Sequence, residues 1–312
     1  MTKYRITFLL IIISLFFFEI TMSLAQPKNI SGGLTRHNIV YDGSNRSYLL
    51  YLPSTYNPDK SYPVMLVFHG GGGQAKFMIK MTGMNKLSEK NDFIVVYPDG
   101  TGSKLLPALK TWNTGNCCGR AKKLNTDDTG FVRAIIKDIK RTININTEKI
   151  FATGISNGAM MSYKLACEAP DLVSGIAPVA GTLNIASCKP DQPVPVIHFH
   201  GTADNFCRYE GGVGSKSVSR RNFKSVEYSI NTWKTINGCS NETSEFYKKG
   251  KAQCIQYEKC KNNSSVVLCT IIDGGHTWPD GHSQYPALMG EVNQDVNATQ
   301  LMWEFFNIER SK

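Results

Sequence analysis

The sequence predicts an α/β protein: a mostly parallel central sheet with helices on both faces. Three observations carry this. Short apolar runs end abruptly in turn residues, as strands buried on both faces do: Val64–Phe68 runs into His69-Gly70-Gly71-Gly72-Gly73, and Phe93–Tyr97 into Pro98-Asp99-Gly100. Other stretches carry apolar residues at helical spacing, such as Val132, Ile135, Ile136, Ile139 and Ile143. The two kinds alternate along the chain, with no internal repeat, low-complexity tract or Pro/Ser-rich linker, so residues 26–312 are expected to form one domain.

In chain order, Asn38–Tyr41 and Arg46–Leu52 read as a hairpin around Asp42-Gly43. The strands Val64–Phe68 and Phe93–Tyr97 follow. The helix from Val132 is preceded by Asp127 and Asp128, acids that favour a helix start. Lys149–Thr153 reads as strand and Ala159–Ala169 as helix, stopped by Pro170. Ile176–Val179 and Val194–Phe199 read as strands, Ser225–Ile236 as helix and Val266–Ile272 as a last strand. Ala298, Leu301, Met302 and Phe305 mark a closing helix.

The first 25 residues have the form of a secretory signal: Lys3 and Arg5, an apolar run Ile6–Phe18, then Ser23-Leu24-Ala25 as a small-residue cleavage site. That run of about 13 residues falls short of the roughly 20 a membrane span needs, and Glu19 closes it. Secretion into an extracellular, oxidising compartment is therefore expected, without a membrane anchor. There the nine cysteines should form bridges, and an odd count leaves at least one unpaired within the chain. No pair has the Cys-x2-Cys spacing of a zinc ribbon, so no metal or other cofactor is expected. Asn-x-Ser/Thr acceptors begin at Asn29, Asn45, Asn241, Asn262, Asn263 and Asn297.

At 312 residues, 41% hydrophobic and 19% charged, the chain is neither disordered nor fibrous. Its net charge is +10, and the leader holds Lys3, Arg5 and Glu19, which leaves +9 on the mature chain. The basic residues are dispersed, with Lys122-Lys123 and Lys248-Lys249 only as pairs, so no nucleic-acid partner is expected. The excess suits approach to acidic polymers.

Gly154-Ile155-Ser156-Asn157-Gly158 lies between a strand and a helix, the setting of a nucleophile elbow. A serine needs a base. Of six histidines, His37 precedes any plausible site, His69 opens the glycine run, and His198 and His200 on one strand face read as packing residues. His276 follows a strand and Gly274-Gly275, and is preferred over His282. The orienting acid should fall between serine and histidine; Asp204, after the turn His200-Gly201-Thr202-Ala203, is preferred over Asp171, Asp191 and Asp273. Backbone N–H groups of Gly71 and Asn157 would form the oxyanion hole. A phosphate-cradling role for the glycine run fails because no Gly-Lys-Ser/Thr follows it.

Taken together, HGGGG from His69, VVYPDG from Val95, WNTGNCCG from Trp112, DDTGF from Asp127, GISNG from Gly154, APVAGTL from Ala177, HFHGTAD from His198 and GGHTWPDG from Gly274 resemble a known group. It is the secreted α/β-hydrolase esterases that include feruloyl esterases and extracellular polyhydroxybutyrate depolymerases, carbohydrate esterase family 1 and relatives. The resemblance spans nearly the whole mature chain. It implies the α/β-hydrolase fold, a triad of Ser156, Asp204 and His276, and Trp278 beside the substrate; Trp112 and Trp278 are both expected to stack an aromatic acyl group. Two departures bear on the substrate rim: Arg208 stands where these proteins usually have proline, and Asp280 where glycine often follows the proline. Cys117, Cys118 and Cys207 are expected to tie loops near the site, and Cys239 with Cys260 and Cys254 with Cys269 to staple the region before His276.

The expected activity is a monomeric serine esterase that releases hydroxycinnamic acids from plant polysaccharide through an acyl-enzyme. A polyhydroxybutyrate (polyester) depolymerase and an acetyl-xylan esterase are the alternatives within that chemistry. A catalytically silent carbohydrate-binding protein is the alternative outside it.

Overall fold

The computed structural model describes residues 31–102, 105–283 and 285–311. The expected leader and Asn29 lie outside them. The strands are β1 (Gly33–Tyr41), β2 (Ser44–Leu52), β3 (Tyr62–Phe68), β4 (Ile94–Pro98), β5 (Ile145–Ile155), β6 (Gly175–Val179), β7 (Val196–Gly201), β8 (Thr243–Lys249), β9 (Ala252–Tyr257) and β10 (Val266–Ile271). The helices are α1 (Ala75–Thr82), α2 (Met84–Asn91), α3 (Gly119–Lys123), α4 (Asp128–Ile139), α5 (Asn157–Glu168), α6 (Val226–Asn237), α7 (Pro286–Met289) and α8 (Ala298–Ser311). No helix among the described residues is long and apolar enough to cross a membrane.

All ten strands form one sheet in the order β1-β2-β4-β3-β5-β6-β7-β10-β9-β8. The centre, β4 through β10, is parallel, and both edges are finished by antiparallel pairs. This is the α/β-hydrolase fold, and the central strands β3, β4, β6 and β7 are almost entirely buried, as continuous apolar runs require. The β1–β2 turn places Asp42 and Gly43 at positive φ (47° and 65°), the conformation that a tight two-residue hairpin demands. On one face α8 packs Trp303 on Phe93 and Phe306 on Phe151, with ring centroids 4.2 and 4.3 Å apart.

Two acids at the start of α4 divide their work. Asp127 caps the helix by accepting from the Gly130 amide (2.8 Å). Asp128 is fully buried, where it accepts from Arg46 (2.8 Å) and from the Asn113 amide (2.7 Å). The sequence pattern did not foresee α1, α2, α3, α7 or the β8–β9 hairpin. These are short or half-exposed elements whose apolar periodicity is too brief to stand out.

Disulfides join Cys167 to Cys188, Cys239 to Cys260, and Cys254 to Cys269. The last joins directly opposed residues of β9 and β10. Cys117 bonds to its neighbour Cys118, so the expected tie to Cys207 is not made. Cys207 is the unpaired ninth cysteine, buried, with its thiol pushed up to about 12 by burial and then by the charge of Asp204. A thiol so protonated is unreactive. Asn45, Asn241, Asn262 and Asn297 are exposed.

Candidate active site

Ser156 sits between the end of β5 and the first turn of α5, at φ 59° and ψ −120°. This strained backbone is what a sharp strand-to-helix turn imposes on a nucleophile elbow. The turn closes because Gly158 has no side chain: a Cβ there would run into the carbonyl oxygens of Phe68 and His69. The Ser156 amide donates to Val179 O (2.9 Å), which pins the turn to β6.

Asp204 follows β7 and His276 follows β10, and these two strands are parallel neighbours. Their adjacent carboxyl ends bring together residues far apart in sequence. His276 Nδ1 donates to Asp204 Oδ2 at 2.7 Å. The other carboxylate oxygen accepts from the amides of Phe206 (2.8 Å) and Cys207 (2.9 Å). Burial opposes the charge on Asp204, but the His276 and His200 imidazoles and their hydrogen bonds outweigh it. They hold the carboxyl well below its ordinary range. Phe206 stacks on the His276 ring, with centroids 5.0 Å apart.

Behind this pair runs a buried hydrogen-bonded chain. Cys207 O can only accept, so His200 Nε2 carries a proton toward it (2.6 Å) and lies 3.4 Å from Asp204 Oδ2. His200 Nδ1 is bonded to His198 Nε2 (3.1 Å), and His198 Nδ1 to the Tyr163 hydroxyl (3.0 Å). His198 and His200 therefore do more than pack. Burial, and then His200, holds His198 neutral by lowering its pKa well below the ordinary value. A spacing of two on a strand puts both rings on one face, but only the fold shows that this face backs onto Asp204.

Gly71 lies across from the elbow, where a Cβ on it would meet the Asn157 Cβ at 3.7 Å. Asn157 is the first residue of α5, and the N–H groups of a first turn have no partner within the helix. The N-terminus of α5, beside the glycine loop, also has the positive end of the helix dipole. Trp112 holds them in register. Its backbone N–H donates to Asn157 Oδ1 (2.7 Å), its carbonyl accepts from Asn157 Nδ2 (3.1 Å), and its indole donates to His69 O (2.9 Å). His69 adds a second brace: Nε2 accepts from Gly100 N (3.0 Å), which leaves Nδ1 to donate to Gly70 O (2.7 Å).

The expectation that Trp112 stacks substrate is corrected here. Its side chain is fully buried between Phe68 and His69, beneath the glycine loop, because its indole N–H is used internally. Trp278 does line the cavity, although it is only 2% exposed; its indole donates to Thr299 Oγ1 (3.0 Å).

Ser156, His276, Gly71 and Trp278 line one cavity of about 460 Å³. Phe77, Met78, Met81, Leu109, Tyr285 and Met289 supply much of its remaining wall. An apolar chamber with a serine, a carboxylate-held imidazole and the glycine loop of residues 70–73 along its wall can hold an ester.

Residues 41–279, more than half of the chain, match the Esterase family. Feruloyl esterase B of Piromyces equi is 31% identical over 242 residues, 76% of this chain. This chain spans 43% of the length of that relative. Feruloyl esterase D of Neurospora crassa is 24% identical over 279 residues, 85% of this chain and 83% of its own length. Among solved structures, the acetyl xylan esterase from Aspergillus awamori superposes with a TM-score of 0.59 at 14% identity, over 88% of this chain and 99% of that one, a likeness of fold. The chain belongs to the Esterase family and has the α/β-hydrolase fold.

Proposed function

We propose that the protein is a secreted feruloyl esterase, a serine hydrolase that releases hydroxycinnamic acids from plant cell-wall polysaccharide. The observation that carries this is that His276, bonded to Asp204 at 2.7 Å, lines one apolar cavity with Ser156. In this reading Ser156 Oγ attacks the ester carbonyl while His276 Nε2 takes its proton. Asp204 keeps the Nδ1 proton in place and stabilises the imidazolium. Gly71 and Asn157 amides receive the oxyanion. Collapse expels the sugar alcohol, which takes the proton from His276. A water activated by the same imidazole then cleaves the acyl-enzyme, so ester and water become acid and alcohol.

The aromatic and methionine walls suit a phenolic acyl group, and the feruloyl esterase relatives point the same way. The leader-like first 25 residues and the disulfides support export. Two measurements test the reading. Ser156→Ala should abolish hydrolysis of a p-nitrophenyl ester and labelling by a fluorophosphonate; retention of either removes Ser156 from the mechanism. Ferulate release from feruloylated arabinoxylan should then exceed acetate release from acetylxylan and clearing of a polyhydroxybutyrate suspension. The opposite ranking assigns the enzyme to acetyl groups or polyester.

A further inference from the structure

Beside the acyl cavity lies a second one, of about 430 Å³, a size typical of small-molecule sites. Its walls come from the end of α1, from α2, from the Asp280-Gly281-His282 loop and from the start of α8. Met81 and His282 line both cavities, so the two adjoin across a partition held by the bond from His282 N to Met81 O (3.0 Å). Three exposed lysines, Lys80, Lys86 and Lys90, face this groove. None of them is ion-paired among the described residues. The groove has one acid, Asp280, and its carboxylate already accepts from Asn297 Nδ2 (2.6 Å). Nearby Glu89 is held away from the lysines by Tyr51 and Ser54.

A further cavity on the sheet's β1–β2 side provides the contrast. It also holds cations, but two of its three are paired, Lys110 with Asp99 (2.7 Å) and Arg46 with Asp128 (2.8 Å), with Arg120 the third. Of these two cavities, the groove at α1 and α2 holds the more unpaired cations and adjoins the nucleophile's chamber.

We infer that this groove is a subsite for the uronate carboxylates of an acidic polysaccharide whose esterified residue occupies the neighbouring cavity. The alcohol side of a polymer ester must leave the acyl chamber over its rim. A chain that crosses the Met81–His282 partition meets Lys80, Lys86 and Lys90, while Asn297 and Gln300 along the groove offer polar groups to sugar hydroxyls. The inference takes its polymer from the polysaccharide-ester reading above, but binding by the groove requires no hydrolysis, so the two can fail separately.

The test is direct binding of unesterified glucuronoxylan to the mature chain in low salt, with carboxyl-reduced glucuronoxylan and polygalacturonate alongside. Production in a bacterial host leaves Asn297, which lines the groove, unglycosylated. The triple variant Lys80→Gln, Lys86→Gln, Lys90→Gln should bind glucuronoxylan about tenfold more weakly, roughly two- to threefold per screened surface charge. Its kcat/KM on a p-nitrophenyl ester should stay at the wild-type level, which verifies that it folds. The triple Lys123→Gln, Lys137→Gln, Lys140→Gln removes the same charge outside the groove and should change binding less than about twofold. Tighter binding of glucuronoxylan than of polygalacturonate places the uronate on a xylan, and the reverse places it on a pectic chain; either supports the subsite. Equal binding of the carboxyl-reduced polymer, equal loss in both triples, or no loss in the first overturns it.

Discussion

His69 should make this protein lose stability in acid by a calculable amount. Its ring is buried between the glycine loop and Gly100, and burial pushes its pKa from 6.5 down to about 4. Because the folded value lies below the unfolded one, the unfolded chain takes up the proton first. The contribution of His69 is complete above pH 6.5 and declines as pH falls toward 4. Between pH 7 and pH 4.5 this one group should cost about 2 kcal/mol. A His69→Gln variant keeps a donor and an acceptor on the side chain but does not titrate. Urea melts of both proteins at pH 7 and 4.5 isolate the residue, because His198, shifted in the same direction, is common to both. The variant should lose about 2 kcal/mol less than wild type over that interval. Equal losses would mean that His69 is not held neutral in the fold, and the tautomer assigned to the glycine-loop brace would fall with it. The variant should also lower kcat more than it raises KM, since the brace positions an amide that acts on the oxyanion.

Other outcomes follow from the same geometry. Asp204→Asn should cut kcat by roughly 10⁴, because an amide at that place stabilises the wrong imidazole tautomer; a loss under tenfold would remove Asp204 from its role. Gly158→Ala should leave little soluble, folded protein at 37 °C, since its methyl group has no room against two backbone carbonyls. A normal thermal transition for that variant would show that the elbow can relax. Replacing Cys254 and Cys269 by serine opens a loop with a sequence separation of 15, and should cost about 3 kcal/mol in a denaturant melt. An unchanged midpoint would mean that the β9–β10 pairing holds the loop closed without the bridge.

Much of the molecule could be read from the sequence because it is written in short-range patterns. The parallel strands announce themselves as apolar runs closed by turn residues, and α4 and α8 through apolar spacing. The nucleophile turn is a five-residue motif between β5 and α5. The acid and the imidazole were named from their places at strand ends, and β7 and β10, as parallel neighbours, bring them within 2.7 Å. Trp112 is where local pattern does not suffice, because its partners are distant in sequence. Trp112 seemed a substrate platform because an indole is a good one. Its neighbours Asn157 and His69 stand 45 and 43 positions away, and only folding shows that they consume its backbone and its N–H. His198 and His200 read as packing residues because strand alternation does not show that their shared face backs onto Asp204.

What the sequence determined by itself was the order and type of the main elements and the chemistry offered at their ends, since periodicity and turn composition are local properties. The tertiary structure decided which buried polar groups satisfy one another, which thiol stays single, and which charges remain unpaired. The lysines of α1 and α2 look dispersed along the chain. They become a groove beside the nucleophile's cavity only because the loop after Trp278 and the start of α8 close around them. Such assignments depend on distances of a few ångströms between residues up to hundreds of positions apart, as in the bond from Thr299 to the Thr82 carbonyl, and no local pattern encodes them.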